Sequence, residues 1–163
     1  MTGLIAIETP VGSGADPLPP ELGQLGSLPF WPVIDMADLR AAARLDSTVS
    51  PARLVHAAQM AVLWVNRELS AWRQQQLAQG IERLADVPGD LVGGDTERVL
   101  LYRRAVYAET EANARERYRS LDTTGKGQSA AEREEQPIDD LRRDARWAIR
   151  DFLGQARSTV ELI

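Results

Sequence analysis

The sequence predicts an all-α fold: an elongated helical bundle of three main helices plus one short helix, with extended N- and C-terminal arms. Three observations predict it. Long stretches repeat apolar residues every three or four positions, the breaks between them fall on Gly and Pro, and the two ends of the chain lack helical periodicity. The 163 residues suit one domain, and a hydrophobic content of 44% is enough to bury one modest core. The chain divides into an N-terminal arm over residues 1–29, a helical domain over 30–153 and a C-terminal tail over 154–163.

Residues 1–29 carry Pro10, Pro17, Pro19, Pro20 and Pro29 among repeated glycines. Proline fixes φ and removes backbone donors, so this stretch reads as an extended arm. Phe30, Trp31, Pro32, Val33 and Ile34 then form an apolar cluster. Phe30, Trp31 and Ile34 are the expected anchor of the arm, and Trp31, outside every helical stripe, is the one expected to be exposed. Asp35 is placed to cap a short helix running through Leu39 to about Leu45.

Ser50-Pro51 starts the first main helix, because serine can cap a free N–H and proline at the first helical position loses no intrahelical bond. Leu54, Ala58, Ala61, Val65, Leu69 and Trp72 share one face, and Gly80 offers a left-handed stop after Gln79. About 28 residues at helical rise make a rod of roughly 42 Å, against a radius of gyration of about 15 Å for a compact domain of this length. An elongated molecule is therefore expected. Residues 81–94 read as a connector longer than ordinary, with a turn at Pro88-Gly89. Gly93-Gly94 permits positive φ before Asp95 caps the next helix.

That second helix runs from Thr96 to about Leu121. Leu101, Ala105, Ala108 and Ala112 form a narrow seam beside Val99, Tyr102 and Val106, and the alanines permit close helix approach. Residues 122–136 read as a flexible linker, ended by the capping-box spacing Ser129-x-x-Glu132. Pro137 opens the last helix, whose Ile138, Leu141, Ala145, Ile149 and Phe152 share a face and which Gly154 ends. Thr159, Val160, Leu162 and Ile163 are β-branched or apolar and suit an extended tail.

Catalytic chemistry has little to work with. The chain has no cysteine and a single histidine, His56, with no partner evident for acid or base work. Glu109, Glu111 and Glu116 lack the Glu-x-x-His pairs of di-iron bundles and read as a solvated helix face. Residues 123–129, around Lys126, approach a phosphate loop, but Ser120 stands where the first glycine belongs and Gly127 follows the lysine in place of Ser or Thr. A net charge of -5 argues against a surface built to neutralise phosphates. The opening residues have no basic region followed by a long apolar run, and no stretch is long and apolar enough to span a membrane, so a soluble, unsecreted protein is expected. Arg115, Arg117 and Arg119 around Tyr118, and Arg142, Arg143 and Arg146 beside Trp147, are interleaved with acids and read as protein contacts rather than a nucleic-acid surface.

Several blocks carry a resemblance in order along the chain. They are Phe30-Trp31-Pro32-Val33-Ile34-Asp35, then Arg44-Leu45-Asp46-Ser47-Thr48-Val49-Ser50-Pro51-Ala52-Arg53-Leu54, then Arg83-Leu84-Ala85-Asp86-Val87-Pro88. Tyr102-Arg103-Arg104-Ala105-Val106, Glu116-Arg117-Tyr118-Arg119-Ser120-Leu121-Asp122 and Ile138-Asp139-Asp140-Leu141-Arg142-Arg143-Asp144-Ala145-Arg146-Trp147-Ala148 follow. With these blocks the chain resembles the head completion protein family of temperate contractile-tailed phages, the GPL family, from about Phe30 to its end. The arm before Phe30 departs from the family pattern, so no contact is carried over to it.

The resemblance implies a non-enzymatic virion protein, made in the host bacterial cytoplasm and located in the head–tail neck. It would bind the portal vertex after DNA packaging, complete and stabilise the filled head and form the adaptor ring of the head–tail connector. The implied partners are the portal protein, a neck or tail-completion protein, and further copies of the chain in a homo-oligomeric ring, a dodecamer. DNA would pass through the ring without specific binding, past a lumen lined by Asp and Glu that repels it. No cofactor, metal or membrane is implied. The two long helices are expected to build the ring wall through head-to-tail contacts, with Arg103, Arg117, Tyr118, Arg143 and Trp147 at those contacts. Arg157, Val160, Leu162 and Ile163 are expected to dock on the portal as an added strand. The alternative is a helical protein–protein binding module not incorporated in virions.

Overall fold

The computed structural model describes residues 23–45, 49–119 and 137–156, with the side chains of Tyr118 and Arg119 left out. The outer arm (residues 1–22), the linker between the last two helices (120–136) and the expected docking tail (157–163) lie outside the described residues. Five helices form among the described residues: α1 (Met36–Ala42), α2 (Pro51–Glu68), α3 (Ser70–Ala78), α4 (Glu97–Arg119) and α5 (Ile138–Phe152).

The fold is predominantly helical without being purely α. β1 (Gln24–Leu25) pairs antiparallel with β2 (Ile34–Asp35), in the register Gln24↔Asp35 and Leu25↔Ile34. β3 (Leu91–Val92) pairs likewise with β4 (Asp95–Thr96). A two-residue strand is too short to show a period of two, so the sequence carries no alternation signal for either pair. The inner end of the arm is thus folded back as a strand and is not simply extended.

Local causes are visible at the helix ends. The Asp35 carboxylate accepts from the N–H groups of Ala37 at 2.9 Å and Asp38 at 3.1 Å, which caps α1 as expected. Pro51 opens α2 as expected, but the Ser50 side chain makes no cap bond, so proline geometry alone marks that start. The single long helix expected to reach Gln79 is divided at Leu69, where φ and ψ are -95° and 5°. Helical bonding still crosses the join, with Leu69 N donating to Val65 O at 3.0 Å and Arg73 N donating to Leu69 O at 2.9 Å. Leu69 is fully buried, so packing tolerates the deviation. Gly80, with φ +84°, follows α3 as the expected left-handed stop.

The connector is more ordered than its turn residues suggest. A 3-10 turn spans Leu84–Asp86, Leu84 is fully buried, and its N–H donates to Phe30 O at 2.8 Å. Gly93 and Gly94 both take positive φ, 62° and 93°, which a two-residue hairpin turn between right-twisted strands requires. The cap expected from Asp95 is supplied instead by Thr96, whose hydroxyl accepts from Val99 N at 3.4 Å, while Asp95 lies in β4 with its carboxylate paired to Arg103.

α4 is the central element and packs against both α2 and α5. The stripe of Leu54, Ala58, Ala61, Val65 and Leu69 is buried as its spacing predicts, with Trp72 half-buried at its end. Val99, Tyr102, Ala105, Val106 and Ala112 of α4 are buried, as are Leu141, Ala145, Ile149 and Phe152 of α5. No helix among the described residues is long and apolar enough to cross a membrane.

Candidate functional site

The segment joining β1 to β2 carries Phe30 and Trp31 onto the helices. The Trp31 ring stacks on Tyr102 of α4 at 4.8 Å and 7°, and Phe30 meets it edge-on at 4.9 Å. Trp72 meets Phe152 edge-on at 4.6 Å, so aromatic rings from the segment, α3, α4 and α5 form one cluster. This overturns the expectation that Trp31 is an exposed anchor: only 4% of it is accessible, and Phe30 and Ile34 are buried with it. The physical reason is the β1–β2 pairing, which turns the segment inward and places the Phe30 and Trp31 rings where stacking and desolvation reward them.

Polar bonds fix the cluster from one side. The Tyr102 hydroxyl donates to Asn66 Oδ1 at 2.8 Å, and Asn66 Nδ2 donates to Ser27 Oγ at 3.3 Å, joining α4, α2 and the segment after β1. Burial pushes the Tyr102 hydroxyl well above the usual phenol range, against a smaller opposing pull from Ser27, so it stays a donor. Arg98 donates to the Phe152 carbonyl and lies over the Trp72 and Phe152 rings at 5.1 and 5.4 Å. The remaining polar detail is unfavourable: Trp31 Nε1 is buried and has no acceptor among the described residues.

The second half of α4 adds charge pairs to its buried Ala112 and Ala114, and α5 to its buried Leu141 and Ala145. Arg142 reaches Glu116 at 2.5 Å and Glu109 at 3.9 Å, and Arg115 pairs with Glu111 at 2.6 Å. The solvated face expected for Glu109, Glu111 and Glu116 is therefore corrected. Glu109 is buried in the helix–helix layer, Glu111 is half-buried, and only Glu116 is exposed. Loss of hydration raises the pKa of Glu109, while Arg142 and then Arg146 pull it back. Beside it the fully buried Thr110 hydroxyl donates to Val106 O at 2.7 Å, which keeps another polar group in this layer satisfied.

The expected ring-contact residues do not gather into one patch. Arg103 sits near the start of α4 beside Asp95, and Arg117 lies about 21 Å further along the same helix. Arg143 and Trp147 are brought together on α5, the guanidinium 4.9 Å over the indole and ion-paired to Asp140 at 2.7 Å. The side chain of Tyr118 is outside the described residues, as are Arg157, Val160, Leu162, Ile163 and the segment around Lys126. His56 is exposed on α2, and among the described residues no group of three or more His, Cys, Asp or Glu side chains is placed to hold a metal ion.

Sequence reasoning missed apolar residues that remain open to solvent. Leu91 is 70% and Val92 61% accessible at the β3–β4 hairpin, and on α2 Leu63 is 57% and Met60 39% accessible. The signals were present: Leu-Val-Gly-Gly between acids is a hairpin pattern, and Met60 and Leu63 fall on the side of α2 opposite the core stripe.

Buried aromatic rings, ion-paired helices and apolar residues left on the outside are the make-up of a small helical structural protein with contacts to make. The comparisons with known proteins identify which kind. A family model for phage head completion protein (GPL) matches residues 25–163. The head completion/stabilization protein of Escherichia phage P2 is 42% identical over 134 residues, covering 82% of this chain and 79% of that relative. The chain belongs to the phage head completion protein family, whose role is structural and lies in the phage head, which implies a place in the virion. The match begins within β1, a few residues earlier than the resemblance at Phe30 suggests. No solved structure matches the chain.

Proposed function

We propose that this protein binds the portal vertex after DNA packaging, completes and stabilises the filled head, and forms the adaptor ring of the head–tail connector. The observation that carries the proposal is the likeness over most of the chain to a relative named for head completion and stabilisation. α2 with α3, and α4, supply the ring wall through heterologous contacts that close by rotation, with DNA passing through the lumen without specific binding. Arg103, Arg117, Tyr118, Arg143 and Trp147 are the proposed contributors to contacts between copies, and Arg157, Val160, Leu162 and Ile163 the proposed docking tail on the portal. A neck or tail-completion protein then binds the far side of the ring.

Negative-stain microscopy of purified portal with and without the full chain tests this. The expected outcome is an added ring at one end of the portal with the rotational order of a dodecamer. Portal particles unchanged by an excess of the chain would refute the adaptor reading and leave a helical module that works outside the virion. Deleting residues 157–163 should abolish co-purification with portal, and normal binding by the truncated chain would move the docking contact to the helical body.

A further inference from the structure

The β3–β4 hairpin and the outer side of α2 are opposite in charge and alike in carrying open apolar residues. Residues 81–97 hold five acids, Glu82, Asp86, Asp90, Asp95 and Glu97, against the single Arg83. Residues 51–68 hold two arginines, Arg53 and Arg67, against the single Glu68. This is a local reversal of the acidic balance of a chain whose net charge is -5.

Each patch is built, not incidental. The hairpin is closed by Glu97 N donating to Asp90 O at 2.9 Å and by the Gly93-Gly94 turn, so Leu91 and Val92 are held in place on β3, with Asp90 and Glu97 side by side at the open end of the hairpin. On α2, Arg53, Met60, Leu63 and Arg67 fall on the side turned away from the buried Leu54, Ala58, Ala61 and Val65, which puts apolar side chains between cationic ones. Leu91 and Leu63 are both more than half accessible in the same chain, so the two patches do not cover each other within it.

We propose that the β3–β4 hairpin of one copy seats on the outer side of α2 in the next copy, Leu91 and Val92 against Met60 and Leu63, with Asp90 and Glu97 facing Arg67. The proposal rests on the ring reading above and gives it a specific contact. Because the two surfaces differ, the contact is head-to-tail, the kind that closes a ring when the rotation permits and does not stop at a dimer. The apolar pair supplies a desolvated centre and the charges set orientation and exclude like-charged pairings.

The absence of cysteine from the sequence makes a single introduced thiol a clean probe. The full chain carrying Val92→Cys is labelled with a benzophenone, mixed with purified portal, imaged, irradiated and mapped by mass spectrometry; Leu63→Cys is treated in the same way. The expected result is a chain–chain adduct from the Val92 label to residues 51–68 of a second copy, and from the Leu63 label to residues 90–97. The Val92 adduct should disappear on adding Leu63→Asp, a variant whose thermal melt should match the parent because the residue lies outside the core. Rings visible in the micrographs with adducts to the portal, or to other parts of the chain, would overturn this contact and leave the adaptor ring standing. No ring from the unlabelled chain would overturn the ring and this contact together.

Discussion

The two halves of α4 share a buried apolar stripe but differ in what surrounds it. Near its start, Tyr102 lies under the Trp31 ring in a cluster completed by Phe30, Trp72 and Phe152. Beyond its middle, the same helix meets α5 through Glu109, Glu116 and Arg142, with Thr110 bonding back to its own helix. The first arrangement gains from desolvation and keeps its strength across salt and pH. The second trades hydration for charge pairing, a trade that changes with protonation and ionic strength. One helix thus joins an end held by ring stacking to an adjustable end whose charge pairing responds to protonation and salt.

The largest test of this contrast is Trp31→Ala. Removing a buried indole from the stack with Tyr102 should cost about 3–5 kcal/mol, read as a large drop in thermal or denaturant midpoint. A variant that melted like the parent yet lost portal binding would return Trp31 to the role of an external anchor and break the comparison. Tyr102→Phe is the finer version, keeping the ring and deleting the donor to Asn66. A loss of about 1 kcal/mol is expected, since Asn66 Oδ1 is left short of a partner in a part-buried site. A loss as large as that of Trp31→Ala would mean that the polar relay through Asn66 and Ser27, and not ring stacking, holds this end.

The helices were largely legible because their signals are periodic. The α2 stripe, the Asp35 cap, the Pro51 start and the Gly80 stop each follow from one residue type at one spacing. What escaped the sequence depends on partners distant along the chain. Trp31 lies in no stripe, and only the pairing of Leu25 with Ile34 turns it toward Tyr102. Glu109 reads as a surface acid on its own helix, and becomes interior once α5 brings Arg142 across it. Asp95 and Thr96 are both competent caps by composition, and the hairpin decides between them by giving the Asp95 carboxylate to Arg103. The exposed apolar residues Met60, Leu63, Leu91 and Val92 belong to no core stripe, and only the packed fold shows that nothing among the described residues covers them.

The smallest effect concerns the adjustable end. Glu109 has its proton affinity raised in the folded chain, by burial first, above the ordinary value of 4.5. A carboxyl shifted in this direction adds to stability while it is protonated, fully below 4.5, and that contribution is lost as pH rises through the raised folded value. The charged form is therefore the costlier one in the fold, because Arg142, at 3.9 Å, offsets the lost hydration only in part. Glu109→Gln keeps the shape and removes the titration. The variant should melt above the parent near neutral pH, and the difference should shrink as pH is lowered toward 4.5, where the parent side chain also becomes neutral. A variant that melted below the parent at neutral pH would show that the Arg142 pairing outweighs the cost of burial. The charged half of α4 would then be as firmly held as the aromatic half, and the contrast between them would fail.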